Sequence, residues 1–242
     1  MRVLLTIKRE MLGVVILLLT SSFLYSQTTL GVSGLLNSPN AVMSPDKTVK
    51  IGGNFLPKQF TTDTWDYHTF NFYINITFLS FVEISMNNTA FDLWNQNYFS
   101  NVDRSISLRV RPIKEGKYWP SVVLGSNDII STTSLFGYAE GNKYFGTHYL
   151  ALSKHFPIGQ NTLGIHAAYN IPVSVHVKQE FPVSGGISFS PSFFKPLNII
   201  AEYDTRDFNI GANILLFNHL YFQFFMNELK YPVFGMHIQF TI

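Results

Sequence analysis

Charged side chains that alternate with apolar ones are the residues of this chain best suited to chemistry. Arg109 and Arg111 share the polar face of one predicted strand. Glu202, Asp204 and Arg206 share the polar face of another. Because an isolated buried charge is costly, such groups inside a protein must bind a ligand or pair with each other. They could form a path for saccharides or anions, or a salt-bridge network that plugs the interior, and we favour the network because buried charges usually have partners.

Two carboxylates are candidates for acid–base catalysis. Glu115 and Asp128 could act as a pair of the kind that glycoside hydrolysis uses. Both adjoin predicted turns, and no oriented set of nucleophile, acid and base can be read from the sequence. We therefore predict structural or solvated roles for both, and no enzyme activity. A barrel enzyme that acts on lipid or glycan is the weaker alternative.

Histidines and glycine pairs give no sign of a metal or cofactor. The seven histidines are His68, His148, His155, His166, His176, His219 and His237. None forms the close pairs typical of zinc ligands, and the chain has no cysteine. Two of them, His166 and His237, occupy polar-face positions, which predicts hydrogen-bonded interior residues. Gly52-Gly53 and Gly185-Gly186 precede no helix, so we interpret them as hairpin turns or kinks rather than phosphate loops. We expect no metal site and no cofactor.

The elements that carry these residues are predicted to be β-strands. Apolar residues alternate with polar ones in most of the chain, which places each apolar set on one face of a strand. The clearest runs cover residues 70–78, 106–110, 163–171, 208–216, 220–226 and 234–242. Turn signals separate the strands. They lie at residues 87–88, 114–116, 141–142, 159–161, 185–186, 217–219 and 231–232. This density of strands and turns predicts an antiparallel meander of about 12 strands.

Alternation alone does not decide which face is wet, because a soluble β-sandwich has the same pattern. The apolar faces are rich in Phe, Tyr and Ile, and the chain ends within an alternating aromatic strand. Aromatics also gather at predicted strand ends, as an interfacial girdle would require. These are Trp65, Tyr67, Tyr118, Trp119, Tyr144, Phe145, Tyr221 and Tyr231. We therefore predict an all-β, up-and-down transmembrane β-barrel with a polar interior.

The first 26 residues have the pattern of a secretory signal peptide. Arg2, Lys8 and Arg9 precede a short apolar run at residues 11–19, and small polar residues follow as far as Ser26. The run is shorter than the roughly 20 residues of a spanning helix. We predict a signal peptide at 1–26 and a barrel at 27–242. Without the leader, 17 basic and 15 acidic residues become 14 of each, which gives nothing to attract nucleic acid.

Two segments carry a resemblance to a known family. Residues 31–41 (GVSGLLNSPNA) follow the order G-x-x-G-L-x-x-(T/S)-P-x-A. The second pattern consists, in chain order, of residues 103–105 (DRS), Glu115, residues 119–125 (WPSVVLG), Asp128 and residues 149–154 (YLALSK). Together they resemble the YjbH-like family of outer-membrane proteins associated with exopolysaccharide production, here as a compact single barrel. The resemblance covers residues 31–154.

The resemblance implies a function in export, assembly or surface display of exopolysaccharide. The alternative is a structural or adaptor barrel of a secretion or envelope complex that transports nothing itself. Either function predicts a location in the outer membrane of a Gram-negative bacterium. The expected partners are outer-membrane lipid and lipopolysaccharide, with polysaccharide and periplasmic export proteins in addition.

Overall fold

A computed structural model describes residues 26–60, 67–90, 102–131, 143–174 and 177–242. Twelve strands make up nearly all of its regular structure, and one short 3-10 helix lies at Ser192–Phe194. The strands are β1 (Thr48–Leu56), β2 (Thr69–Phe78), β3 (Val82–Ala90), β4 (Val102–Ile113), β5 (Ser121–Ser131), β6 (Thr147–Ile158), β7 (Asn161–Pro172), β8 (Val183–Ser190), β9 (Leu197–Tyr203), β10 (Phe208–Leu216), β11 (Leu220–Asn227) and β12 (Tyr231–Thr241).

The strands close into a single barrel. Each strand pairs antiparallel with its neighbours in the chain, and β1 pairs antiparallel with β12 from Thr48 opposite Thr241 to Phe55 opposite Phe234. Closure leaves no sheet edge, so the backbone N–H and C=O groups of the first and last strands are paired. The predicted all-β, up-and-down barrel of about 12 strands is confirmed.

Alternation along each strand divides the side chains between the outer face and the lumen. On β2 the outward residues Phe72 and Ile74 are 50% and 47% exposed. Between and beside them Asn71, Tyr73 and Asn75 point inward and are buried. The same alternation gives β11 the exposed Phe222 and Phe224 on one face, and Tyr221, Gln223, Phe225 and Asn227 buried on the other. The barrel is therefore apolar outside and largely polar inside.

The two ends of the barrel differ in the length of their connections. At the end where Thr48 and Thr241 lie, the connections are mostly short, such as residues 79–81, 159–160 and 217–219. We call this the turn end. At the opposite end, the loop end, the connections include 57–68, 91–101, 132–146 and 173–182.

Two predicted turns were wrong, because Asn87-Asn88 lies inside β3 and Gly185-Gly186 inside β8. Gly52-Gly53, which we interpreted as a turn or a kink, lies inside β1, so it is not a turn. The glycines allow close approach within the barrel wall, since a Cβ on Gly185 would stand 2.6 Å from the backbone oxygen of His166. The last predicted turn is also displaced, because Tyr231-Pro232 begins β12 and the turn precedes it.

Some predictions lie outside the described residues. These are the signal peptide as far as residue 25, the turn at 141–142, Trp65 and His176. Of the predicted girdle aromatics, Tyr118 and Trp119 are exposed at the turn end, whereas Tyr221 points inward and is buried. Within the described residues, no helix has the length and apolarity needed to cross a membrane.

Candidate functional site

The barrel lumen is occupied by the segment that precedes β1. Residues 26–44, which we call the plug, are almost all buried although they form no strand of the barrel. Leu35 and Leu36 of the plug pack with Leu56, Ile200 and Phe225 in a buried apolar cluster. Further along the plug, Ala41 packs in a second cluster against inward residues of β5, β6 and β7. The plug thus contacts the wall through apolar groups as well as polar ones.

A carboxylate from β9 is enclosed by backbone N–H groups of the plug. Glu202 accepts hydrogen bonds from the N–H of Leu36 (3.0 Å), Asn37 (2.8 Å) and Ser38 (3.1 Å). Asn209 on β10 donates a fourth from its side-chain amide at 3.0 Å. Successive N–H groups that converge in this way form an anion-binding nest. Within the described residues, Glu202 is therefore held by hydrogen bonds from N–H donors of the plug and forms no ion pair.

The loop end of β9 continues this contact with the plug. Asp204 accepts hydrogen bonds from the side-chain amides of Asn37 (2.8 Å) and Asn209 (3.0 Å). Arg206 binds Asp207 and lies 3.7 Å from Glu228. Partial burial opposes the charged form of Arg206, but these carboxylates outweigh it and raise the pKa of the guanidinium.

A second charged cluster holds the middle of the plug. Arg109 on β4 and Glu83 on β3 are opposite each other in register and form a salt bridge of 3.0 Å, with both side chains 0% exposed. Glu83 also accepts hydrogen bonds from the backbone N–H (2.6 Å) and hydroxyl (2.7 Å) of Ser33. On the other side, Arg109 donates to the backbone oxygens of Asn40 and Val42. The ion pair therefore clamps the plug at two places.

The predicted lumen residues separate into two groups. Arg109 belongs to the cluster with Glu83, whereas Glu202, Asp204 and Arg206 follow one another along β9 and its loop. Arg111 lies nearer the turn end and donates to the backbone oxygen of Ser80. Within the part of the chain that the structure describes, these charges contact a neighbouring strand, a loop or the plug, and no ion pair joins them across an open lumen.

Sequence reasoning missed Glu83 and the plug. The sequence signal for Glu83 was its place in the alternation of β3. It precedes the outward-facing Ile84, so its own side chain points inward. The signal for the plug was that residues 31–41 lack alternation and yet carry the first family pattern. The Ser33 and Asn37 contacts could not be derived from spacing, since they join residues more than 45 positions apart.

The two histidines predicted to face the interior do so. His166 is buried and hydrogen-bonded at Nδ1 to Ser153 (2.8 Å) and at Nε2 to Ser188 (3.0 Å). Ser153 in turn accepts the N–H of Ala41 from the plug at 2.7 Å. His237 is likewise buried, 3.1 Å from the hydroxyl of Tyr73. Serine and histidine thus meet here as a structural network around the plug, because both ring nitrogens of His166 are occupied.

The two candidate catalytic carboxylates lie at opposite ends of β5. Glu115, at the turn end, accepts hydrogen bonds from the backbone N–H of His155 at 2.8 Å and forms an ion pair with Lys154 at 3.2 Å. Partial burial opposes its charged form, but the hydrogen bonds from His155 and Lys154 outweigh it and hold the pKa of Glu115 below its ordinary value. Asp128 is buried within β5 near the loop end. The structure does not bring the two together.

A partly open cavity lies at the loop end, above the plug. It has a volume of about 140 Å³. Plug residues, the beginning of β6 and the β9–β10 loop contribute Asn37, Tyr144, Thr147, Asp204 and Arg206 to its lining. Amides, hydroxyls and aromatic rings converge there, so a polar ligand could reach this part of the plugged lumen.

These features define a class: a closed 12-strand β-barrel whose lumen is filled by its own N-terminal segment. The chain belongs to the YjbH family, whose model, described as exopolysaccharide biosynthesis protein YbjH, matches residues 26–181. The resemblance drawn from the two sequence patterns is thereby confirmed. The matched region begins at the plug and ends before β8, so Glu202 lies beyond it. No curated protein matches this chain.

Proposed function

We propose that this chain is an outer-membrane β-barrel that takes part in export, assembly or surface display of exopolysaccharide in a Gram-negative bacterium. The observation that carries the proposal is the apolar outer face of a closed barrel in a member of an exopolysaccharide biosynthesis family. Lipid offers no hydrogen bonds, so a closed barrel with outward apolar side chains suits a membrane.

The filled lumen favours assembly or display over free passage through this barrel. Hydrogen bonds between the plug and charged side chains of the barrel wall run from Ser33 to Val42. Passage of a polysaccharide would require these contacts to break together. The same observation supports the second candidate, an adaptor barrel that holds a partner in an envelope complex and transports nothing itself.

We propose a non-enzymatic role without a cofactor or metal. Ser153 accepts the backbone N–H of Ala41 and Glu83 that of Ser33, so these two polar groups of the lumen hold the plug. The partners we propose are outer-membrane lipid, lipopolysaccharide, polysaccharide and periplasmic export proteins.

Fractionation and gene deletion together test this proposal. We expect the protein in the outer-membrane fraction, with a gel mobility that changes on heating, as for a folded barrel. We expect the deletion strain to lose surface polysaccharide and to regain it on complementation. Unchanged surface polysaccharide would rule out the export, assembly or display role. Recovery of stoichiometric partners together with unchanged polysaccharide would favour the adaptor.

Single cysteines test the orientation, since the natural chain contains none. Outer-membrane barrels have short periplasmic turns and longer extracellular loops. A membrane-impermeant maleimide should therefore label Lys230→Cys, at the loop end, in intact cells. Lys117→Cys, an equally exposed lysine position at the turn end, should react only after the outer membrane is permeabilised. The reverse labelling would contradict this orientation.

A further inference from the structure

We infer that the cavity at the loop end is a binding site for a neutral saccharide unit, an inference that rests on the proposed function and gives it a place on the molecule. The cavity is bounded by the plug turn at Asn37 and Pro39, by Asn127 and Tyr144 near the β5–β6 connection, and by the β9–β10 loop at Asp204–Arg206. We call it the vestibule.

The size of the vestibule fits one sugar unit. The cavity has a volume of about 140 Å³ and is partly open at the loop end. At roughly 10–15 Å³ per water molecule, this is space for on the order of ten waters. The plug closes the inner side, because Thr29, Leu30 and Asn37 form that wall. A ligand could therefore be held at the mouth of the barrel without entering the lumen.

The charged groups of the vestibule are already occupied. Asp204 accepts hydrogen bonds from Asn37 and Asn209, and Arg206 is bound to Asp207 and to the backbone oxygen of Gln59. Lys178, which also lines the cavity, has a partner as well. An ionic ligand would have to displace these pairs, so the charge pattern selects against acidic and basic glycans.

The uncharged groups that line the vestibule suit hydroxyls and sugar rings. Tyr144 and Phe145 provide aromatic surface, and Thr147 a hydroxyl. Asn127 also lines the vestibule, and its Oδ1 is buried without a hydrogen-bond partner within the described residues. Aromatic faces with a few polar groups that fix orientation are the usual make-up of a small-molecule site. Neutral saccharides offer the matching apolar ring faces and hydroxyl donors.

The test is binding of defined oligosaccharides to the purified full chain in detergent. The probes are maltohexaose, cellohexaose and an N-acetylglucosamine oligomer, with oligogalacturonate as the acidic comparison, measured by saturation-transfer NMR and calorimetry. We expect at least one neutral probe to bind. Tyr144→Ala should weaken that binding roughly tenfold, which corresponds to about 1.4 kcal/mol. Asn127→Ala should weaken it in the same direction.

Tyr118→Ala is the matched control, because Tyr118 is a highly exposed tyrosine at the turn end. It should bind as the unmodified chain does, and heat-dependent gel mobility should establish that every variant is folded. The inference is overturned if no neutral probe binds, if oligogalacturonate binds more tightly, or if the Tyr144 and Asn127 variants keep full affinity. If no saccharide binds but the deletion strain still loses its surface polysaccharide, only the saccharide site in the vestibule is overturned. Normal polysaccharide in the deletion strain would instead overturn the proposed function.

Discussion

Glu202 on β9 accepts the backbone N–H of Leu36 on the plug at 3.0 Å, and this bond joins two residues 166 positions apart in the chain. Its carboxylate also takes the next two N–H groups of the plug. Glu202 therefore fixes the turn of the plug that forms the floor of the vestibule.

Replacing Glu202 with glutamine should loosen the plug. The glutamine amide has one acceptor oxygen, and its N–H₂ group would face buried N–H donors with nothing to accept them. The free energy of unfolding should therefore fall by about 2 kcal/mol. Urea titration in detergent measures this change, and limited proteolysis should cut the plug faster. Glu180→Gln, at an exposed glutamate, is the matched control and should change neither. Equal stability of the two variants would contradict the role of Glu202.

Gly31 should tolerate replacement by alanine less well than Gly159. It has a positive φ of 73°, and a Cβ there would stand 2.3 Å from the Tyr73 ring. Gly159 has a similar φ of 61° but nothing within 4 Å of such a Cβ. Alanine at either position must adopt a positive φ, which destabilises the fold by about 1 kcal/mol. Only Gly31→Ala also places a Cβ against the Tyr73 ring. The difference in their unfolding free energies isolates that clash, and a difference of zero would disprove it.

The Glu83–Arg109 pair should respond unequally to removal of either partner. Breaking a buried pair typically costs about 3–5 kcal/mol because one charge stays uncompensated. Glu83→Leu leaves both Arg109 and Lys50 without their carboxylate, whereas Arg109→Leu leaves Glu83 with Lys50. We therefore expect Glu83→Leu to be the more destabilising single change in a urea titration.

The double variant completes a thermodynamic cycle on this pair. Glu83→Leu with Arg109→Leu should be less destabilised than the sum of the single variants, because the singles each leave a buried charge. Simple additivity would show that the two side chains do not act as a pair.

Glu115 should make the turn end sensitive to acid. Its folded-state pKa lies below the ordinary value, so its contribution is present above the unfolded pKa and is lost as pH falls through the folded pKa. Glu115→Gln should therefore reduce stability at neutral pH by less than about 1 kcal/mol, since the pair is partly exposed. The difference from the unmodified chain should vanish at acid pH in paired urea titrations. A difference that grows on acidification would have the wrong sign.

The sequence by itself determined the barrel. The alternation in β2, β7 and β11 could be read directly, because a period of two dictates which residues share a face whatever lies beyond the strand. The strand number followed from the chain length at roughly 10 residues per membrane strand plus connections. The turns were less certain, since Gly185-Gly186 shows that glycine within a strand can look like a turn. The inward direction of Arg109 and His166 came from the same rule.

Only the tertiary structure decided what fills the lumen and which charges meet. Contacts such as Ser33 with Glu83 and Leu36 with Glu202 join distant parts of the chain through a segment without periodicity. The partner of each inward charge depends on strand register and on the path of the plug, and neither is encoded in local spacing. Alternation fixes a side chain's direction, but the group that it meets is fixed only when the whole barrel closes around the plug.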